Sequence, residues 1–150
     1  MIQILKASQR MQGIVKNTPL NYSKRLSEKY NCNIYLKRED LQEVRSFKLR
    51  GAFNKIVNLS DKSKKKGVVC ASAGNHAQGF GFSCSILNIK GDIFVPENTP
   101  LQKLDRIRKF GDSCKLHLAG SNFNECLEES LIFTKENNKD FVHPYHDIDT

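Results

Sequence analysis

From about residue 53 the chain alternates between short strand-like runs and helix-length segments at a nearly constant pitch, and that pitch limits the folds open to it. The runs Val68–Ala71, Asp92–Val95, Lys115–Leu118 and Phe141–His143 recur at intervals of 23 to 26 residues. Between them the pattern predicts helices over Gly74–Leu87, Pro100–Phe110 and Asn122–Asn137. In the last, Phe123, Cys126, Leu127, Leu131 and Thr134 follow the spacing of one buried helix face. Strand–helix–strand repeats of this length need right-handed crossovers, which predicts an α/β fold: a parallel sheet with helices on both faces. Gly111 should close the second helix, which carries Arg106, Arg108 and Lys109 in its last turn.

The first 50 residues follow a different rule. Ile34-Tyr35-Leu36-Lys37 alternates like a strand with one wet face, and a polar loop from Arg38 to Arg45 leads to a helix over Phe47–Leu59. The chain stops at Asp149-Thr150 just after its fourth strand-like run, so the sheet reads as unfinished and part of a longer polypeptide.

Composition narrows the function classes. A chain of 150 residues buries roughly 70% of its unfolded surface, enough for a core without staples. No apolar run reaches the ~18–20 residues of a membrane span, and the first six residues lack the order of a secretory signal. Five cysteines, with no Cys-x-x-Cys pair, read as reduced thiols in a cytoplasmic protein. The net charge of +8 comes mainly from lysine. Its densest run, Lys62-Ser63-Lys64-Lys65-Lys66, has neither the arginines nor the aromatics of a nucleic-acid reader, so it reads as a solvated helix-to-strand connection.

Two segments can carry chemistry. Ser46 is a good helix N-cap, yet Lys48 and Arg50 then occupy the first turn, where the helix dipole disfavours cations by about 0.3–1 kcal/mol each. A lysine there, beside a second cation, should hold its proton less tightly, which suits a nucleophile or Schiff-base partner. An ordinary surface lysine would give the same residues. The second segment, Ala71-Ser72-Ala73-Gly74-Asn75-His76, lies between a strand and a helix, where small residues and unbonded N–H groups receive an anion. A plain turn capped by Asn75 is the simpler alternative. Neither a GxGxxG nor a GK[ST] pattern is present. His143-Pro144-Tyr145-His146, with Asp147 and Asp149, is a poor metal cluster, because Pro144 keeps the two imidazoles from sharing a helix face. His117, Cys70 and Cys84 read as structural.

Together, Ser46-Phe47-Lys48-Leu49-Arg50-Gly51-Ala52 and Ala71-Ser72-Ala73-Gly74-Asn75-His76-Ala77-Gln78-Gly79 closely resemble the threonine dehydratases, of the fold-type II (tryptophan synthase β-like) pyridoxal-phosphate enzymes. Asn17-Thr18-Pro19-Leu20, Leu36-Lys37-Arg38-Glu39-Asp40 and Phe141-Val142-His143-Pro144 look like the same family, in order and spacing. Leu36–Arg50 looks more like its biosynthetic members.

The resemblance implies several roles. Lys48 would bind pyridoxal 5'-phosphate covalently and act as catalytic base, Phe47 would pack against its ring, and Asn75 would hydrogen-bond its phenolic oxygen. Ser72, Ala73, Gly74, Asn75 and His76 would hold the substrate carboxylate through backbone N–H groups. The implied reaction turns L-threonine into 2-oxobutanoate and ammonia, the first step of isoleucine synthesis, with L-serine giving pyruvate. The complete enzyme would be a homo-oligomer. The family's glycine-rich phosphate loop, its residue facing the pyridine nitrogen and any regulatory domain have no counterpart here, so this chain alone should be inactive. Residues 1–53 would then belong to a large lobe and 54–150 to a small one. A non-catalytic α/β binding module and another enzyme of the family, such as a serine racemase or dehydratase, are the alternatives. Cysteine synthases and threonine synthases fit less well, given His76 and Leu49.

Overall fold

The computed structural model describes residues 2–146. The elements run in order α1 (Ile2–Arg10), β1 (Leu20–Tyr22), α2 (Lys24–Tyr30), β2 (Tyr35–Lys37), a 3-10 turn (Glu39–Leu41), α3 (Lys48–Val57), α4 (Asp61–Lys66) and β3 (Val68–Ala71). They continue with α5 (Asn75–Leu87), β4 (Gly91–Val95), α6 (Leu101–Phe110), β5 (Cys114–Leu118), α7 (Phe123–Glu136) and β6 (Asp140–Phe141).

Strands β3 to β6 form one parallel sheet in the order β5-β4-β3-β6, as the alternation predicts. β3 and β4 are buried along their whole length, which explains their near-continuous apolar sequence. Alternate residues serve opposite faces. Val68, Cys70, Ile93 and Val95 pack with Phe80 and Cys84 of α5, Leu104 and Ile107 of α6, and Ile56 of α3. Val69, Ala71 and Phe94 pack with Cys126, Leu127 and Phe133 of α7.

The α7 stripe differs from the sequence reading. Cys126 and Ser130 are buried and Phe133 packs on the sheet, whereas Phe123 and Leu131 are exposed. The buried face is rotated because Phe133 closes over Phe94 and His117, with centroids 5.2 Å from each. His117 itself stacks on Phe94 (4.4 Å, 7°) and bonds the buried carboxylate of Asp92, which also pairs with Lys139. Phe141–His143 is shorter than expected as a strand, because only Asp140 and Phe141 pair with β3.

The amino-terminal region contains elements that the hydrophobic pattern does not show. α1 has no buried residue and attaches through Arg10, which donates to Asn54 Oδ1 at 2.9 Å. β1 and β2 pair antiparallel, Tyr22 opposite Tyr35, and every residue of both is exposed, so β2 has no dry face. The lysine run forms the solvent-facing helix α4, started by Ser60, whose hydroxyl accepts from Ser63 N–H at 3.1 Å.

α3 joins the two regions. Its Leu49 and Phe53 pack with Val44, Met11, Ile14 and Val15, while Ile56 enters the sheet's core. It packs against α5 at Gly79, where an added Cβ would lie 3.0–3.1 Å from the backbone of Lys48 and Leu49. A glycine is required there because backbone meets backbone.

Candidate functional site

The carboxyl ends of the parallel strands open onto a cleft of about 400 Å³. Ser72, Ala73, Gly74, Asn75 and His76 follow β3, Lys103 follows β4, Phe123 follows β5 and Tyr145 follows β6; all line it together with Phe47 and Lys48 from the start of α3. This is where a parallel α/β sheet receives ligands. The two segments singled out from sequence thus face each other, at the spacing Gly79 sets.

The helix start differs from the expectation. Phe47, not Ser46, is the N-cap of α3, without a side-chain cap bond, and the hydroxyl of Ser46 is buried without a hydrogen-bond partner among the described residues. The helix begins one residue late, so Lys48 is its first residue. Arg50 is not the neighbouring free cation that the sequence suggests. It turns away to Glu39, with Nε–Oε2 at 2.9 Å and Nη2–Oε1 at 2.7 Å, and holds that carboxyl down at about 2. Lys48 Nζ donates to the carbonyl of Pro144 at 2.5 Å and lies 4.8 Å from the Tyr145 ring centroid and 5.7 Å from that of Phe47. Phe47 is 60% exposed, its ring open to the cleft's mouth. No carboxylate lines the cleft among the described residues.

Across the cleft, Gly74 rather than Asn75 caps α5, in an extended conformation (φ −130°, ψ −147°). The hydroxyl of Ser72 accepts from Gly74 N–H at 3.2 Å and is thereby committed locally. Gln78 N–H makes the first bond back, to Gly74 O at 3.3 Å, so the N–H groups of the helix's first turn lack a carbonyl one turn behind them. Asn75 is exposed. His76 has a buried side chain whose Nε2 donates to Val142 O at 3.1 Å, so its ring ties α5 to the segment after β6.

Sequence reasoning missed Tyr145, the carbonyl of Pro144, Lys103 and the cleft position of Phe123. Tyr145 had a signal: Pro144 forces a turn where the chain leaves the sheet. In that turn His143 Nδ1 accepts from Tyr145 and His146 N–H, both at 3.0 Å. The segment is not helical, and the two imidazoles meet 4.6 Å apart because the turn folds back. Among the described residues no three His, Cys, Asp or Glu side chains are placed to hold a metal ion. Asp147 and Asp149 lie outside the described residues.

A parallel sheet whose carboxyl edge presents an amine, an aromatic face and a helix N-terminus defines a class of protein. The chain belongs to the pyridoxal-phosphate dependent enzymes, whose family model matches residues 11–150. More particularly, it is 51% identical over 142 residues to the biosynthetic L-threonine dehydratase IlvA of Staphylococcus epidermidis, covering 94% of this chain and 34% of that protein. It thus spans about a third of the length of the curated relatives it matches. Among solved structures it is similar to the processed threonine deaminase isoform 2 of Solanum lycopersicum (TM-score 0.83, 34% identity, 97% of this chain and 43% of that one). It is also similar to the serine racemase of Dictyostelium discoideum (TM-score 0.88, 27% identity, 99% and 48%). The fold is that of fold-type II pyridoxal-phosphate enzymes, as the motifs predict.

The cleft fits one end of that cofactor. It offers a primary amine with no carboxylate partner among the described residues, an exposed aromatic face and an amide side chain. Gly74 is its one glycine among the described residues, so a glycine-rich phosphate cradle is no part of this wall.

Proposed function

We propose that the protein to which these residues belong is a pyridoxal-phosphate dependent threonine ammonia-lyase acting in isoleucine synthesis. The observation that carries this reading is the placement of Lys48 Nζ, which has no carboxylate partner among the described residues, across one cleft from the first turn of α5. In this reading Lys48 would hold the cofactor, with Phe47 against its ring and Asn75 as a hydrogen-bond donor to its phenolic oxygen. When bound, pyridoxal phosphate supplies an electron sink for charge developing at the substrate's Cα. Of the N–H groups over Ser72–His76, that of Ser72 is bonded to Phe94 O at 3.0 Å and that of Gly74 to Ser72 Oγ, so the remaining ones at the start of α5 would orient the substrate carboxylate. The amine of Lys48, on the cleft wall, would accept the substrate's Cα proton as general base. The β-hydroxyl then leaves as water, and the unsaturated amine hydrolyses to 2-oxobutanoate and ammonia; L-serine gives pyruvate by the same route. Lys48→Ala in the full-length protein should abolish 2-oxobutanoate formation from L-threonine. Activity within tenfold of wild type would refute the assignment.

The likeness to serine racemases supports a second reading, and Ala73 bears on it. Racemisation needs a proton-transfer group on each side of Cα. The resembling racemases carry serine where this chain has Ala73, and the neighbouring Ser72 hydroxyl is already bonded to Gly74 N–H. The reading therefore gives elimination without racemisation. D-Serine accumulating from L-serine as fast as pyruvate would reverse it.

The remaining assignments belong to the same proposal. Residues 1–53 form part of a large lobe and 54–150 a small lobe, a division supported by α3, whose Phe53 and Ile56 enter different cores. The complete enzyme is a cytoplasmic homo-oligomer with small-molecule substrates and no nucleic-acid or membrane partner. Among the described residues no helix is long and apolar enough to cross a membrane. These 150 residues alone do not dehydrate threonine, since the phosphate cradle is not on this wall. If the motifs instead belong to a non-catalytic module, the full-length protein will show no cofactor absorbance after reconstitution.

A further inference from the structure

At the opposite end of the sheet from the lysine, two thiols share one small space. Cys84 lies near the end of α5 and is fully buried; Cys114 opens β5 and is half-buried. Gly91 sits between them as the first residue of β4, paired across the ladder with Cys114. A Cβ added at Gly91 would meet Cys114 Sγ at 2.6 Å, the Phe80 ring at 2.8 Å and Cys84 Sγ at 3.1 Å. Both sulfurs therefore crowd the volume that a side chain at this position would fill. The glycine is what lets them approach each other.

The pair is also reachable from one side. Cys114 lines a cleft of about 820 Å³ at the amino ends of β4 and β5, bounded by Asn88, Lys90, Asp112, Ser113 and Lys139. Cys84 lies behind it in the core, where contact with Cys114, followed by burial, pushes its thiol well above the ordinary range. Among the described residues the other cysteines have different settings. Cys32 is exposed and Cys126 is buried on the other sheet face; Cys70, on β3, is buried in the same core as Cys84 but does not line the cleft that reaches Cys114. An accessible thiol with a resolving thiol beside it is the arrangement that converts oxidation into a disulfide instead of overoxidation.

We propose that Cys84 and Cys114 form a redox-active pair, which a small peroxide closes to an intramolecular disulfide. The Cys114 sulfur attacks one peroxide oxygen, the O–O bond breaks, and one water leaves with Cys114 as sulfenic acid. The Cys84 sulfur then displaces that hydroxyl, forming the S–S bond and releasing a second water. Two thiols lose two protons and two electrons, and hydrogen peroxide is reduced to two waters. A dithiol reductant reverses the change. The cross-link ties α5, whose first turn faces Lys48, to the edge strand β5.

The test treats the full chain with hydrogen peroxide under native conditions, alkylates the remaining thiols and maps the peptides without reduction. The expected product is one linked pair, Cys84 with Cys114, lighter by two hydrogens and separated by dithiothreitol. The same treatment in urea should spread the links over Cys32 and the other cysteines. Cys84→Ala should lose the cross-link and leave Cys114 to advance to sulfinic acid. Two results would overturn the proposal: Cys114 reaching sulfinic acid in the wild-type chain while Cys84 stays alkylatable, or native links that match the urea distribution.

Discussion

The two sheets of this molecule are built on opposite principles. In the four-stranded parallel sheet, β3 and β4 are buried at every residue, and helices cover both faces. In the β1–β2 pair every residue is exposed, with Tyr35 at 56% and Leu36 at 42%. Burial holds the first together. The second is held beside α3 largely by polar contacts that converge on one carboxylate, Glu39, which accepts from Thr18 Oγ1 and from Arg50. The cleft is lined by the carboxyl edge of the parallel sheet and by the start of α3, the helix that packs against both regions.

Truncation of Phe80 should produce the largest effect, because this ring is fully buried at the centre of the parallel-sheet core. Phe80→Ala should cost about 3–5 kcal/mol in denaturant unfolding. A cost below about 1 kcal/mol would mean that this core does not carry the sheet. Next is Gly79→Ala, which forces a methyl against the backbone of Lys48 and Leu49 and should cost about 1–3 kcal/mol. It should also weaken cofactor retention in the full-length protein more than Phe80→Leu does, because it moves the seam that spaces the two cleft walls.

The same contrast explains what the sequence made legible. Val68–Ala71 and the helix after it were readable because complete burial leaves a continuous apolar run with small residues at its carboxyl end. The Lys48 segment was readable because it puts cations at a helix start, and the Asn75 segment because small residues stand between a strand and a helix. β1 and α2 left no pattern that sets them apart, since elements this short and this exposed need no periodicity. The cleft roles of Tyr145 and Lys103 were invisible for another reason: they depend on which strand follows which in space, and β6 lies beside β3. The order β5-β4-β3-β6 is not written in any local spacing.

Acid should separate the two regions. Glu39 is lowered from 4.5 to about 2, first by the hydrogen bond from Arg50, with Thr18 adding to it. A depressed carboxyl contributes stability that is complete above its unfolded value. That contribution is lost as the pH falls from about 4.5 towards 2. Three of the four tyrosines, Tyr22, Tyr30 and Tyr35, lie in the amino-terminal region, and the chain has no tryptophan, so tyrosine emission reports that region. It should change in this window before the helical signal falls, and Glu39→Gln should remove the pH dependence. Coincident transitions would show that the regions unfold as one. The smallest effect is expected at Leu36→Ala in β2, within about 0.5 kcal/mol, as for exposed sites generally.

The central claim is that the amine of Lys48 is the point at which the cofactor is held. The most direct measurement is borohydride reduction of the cofactor-loaded full-length protein, followed by peptide mapping of the fixed pyridoxyl group. The account predicts the label on the peptide containing Lys48. A label on Lys103, the other lysine lining the cleft, or on Lys37 or Lys55, would contradict it.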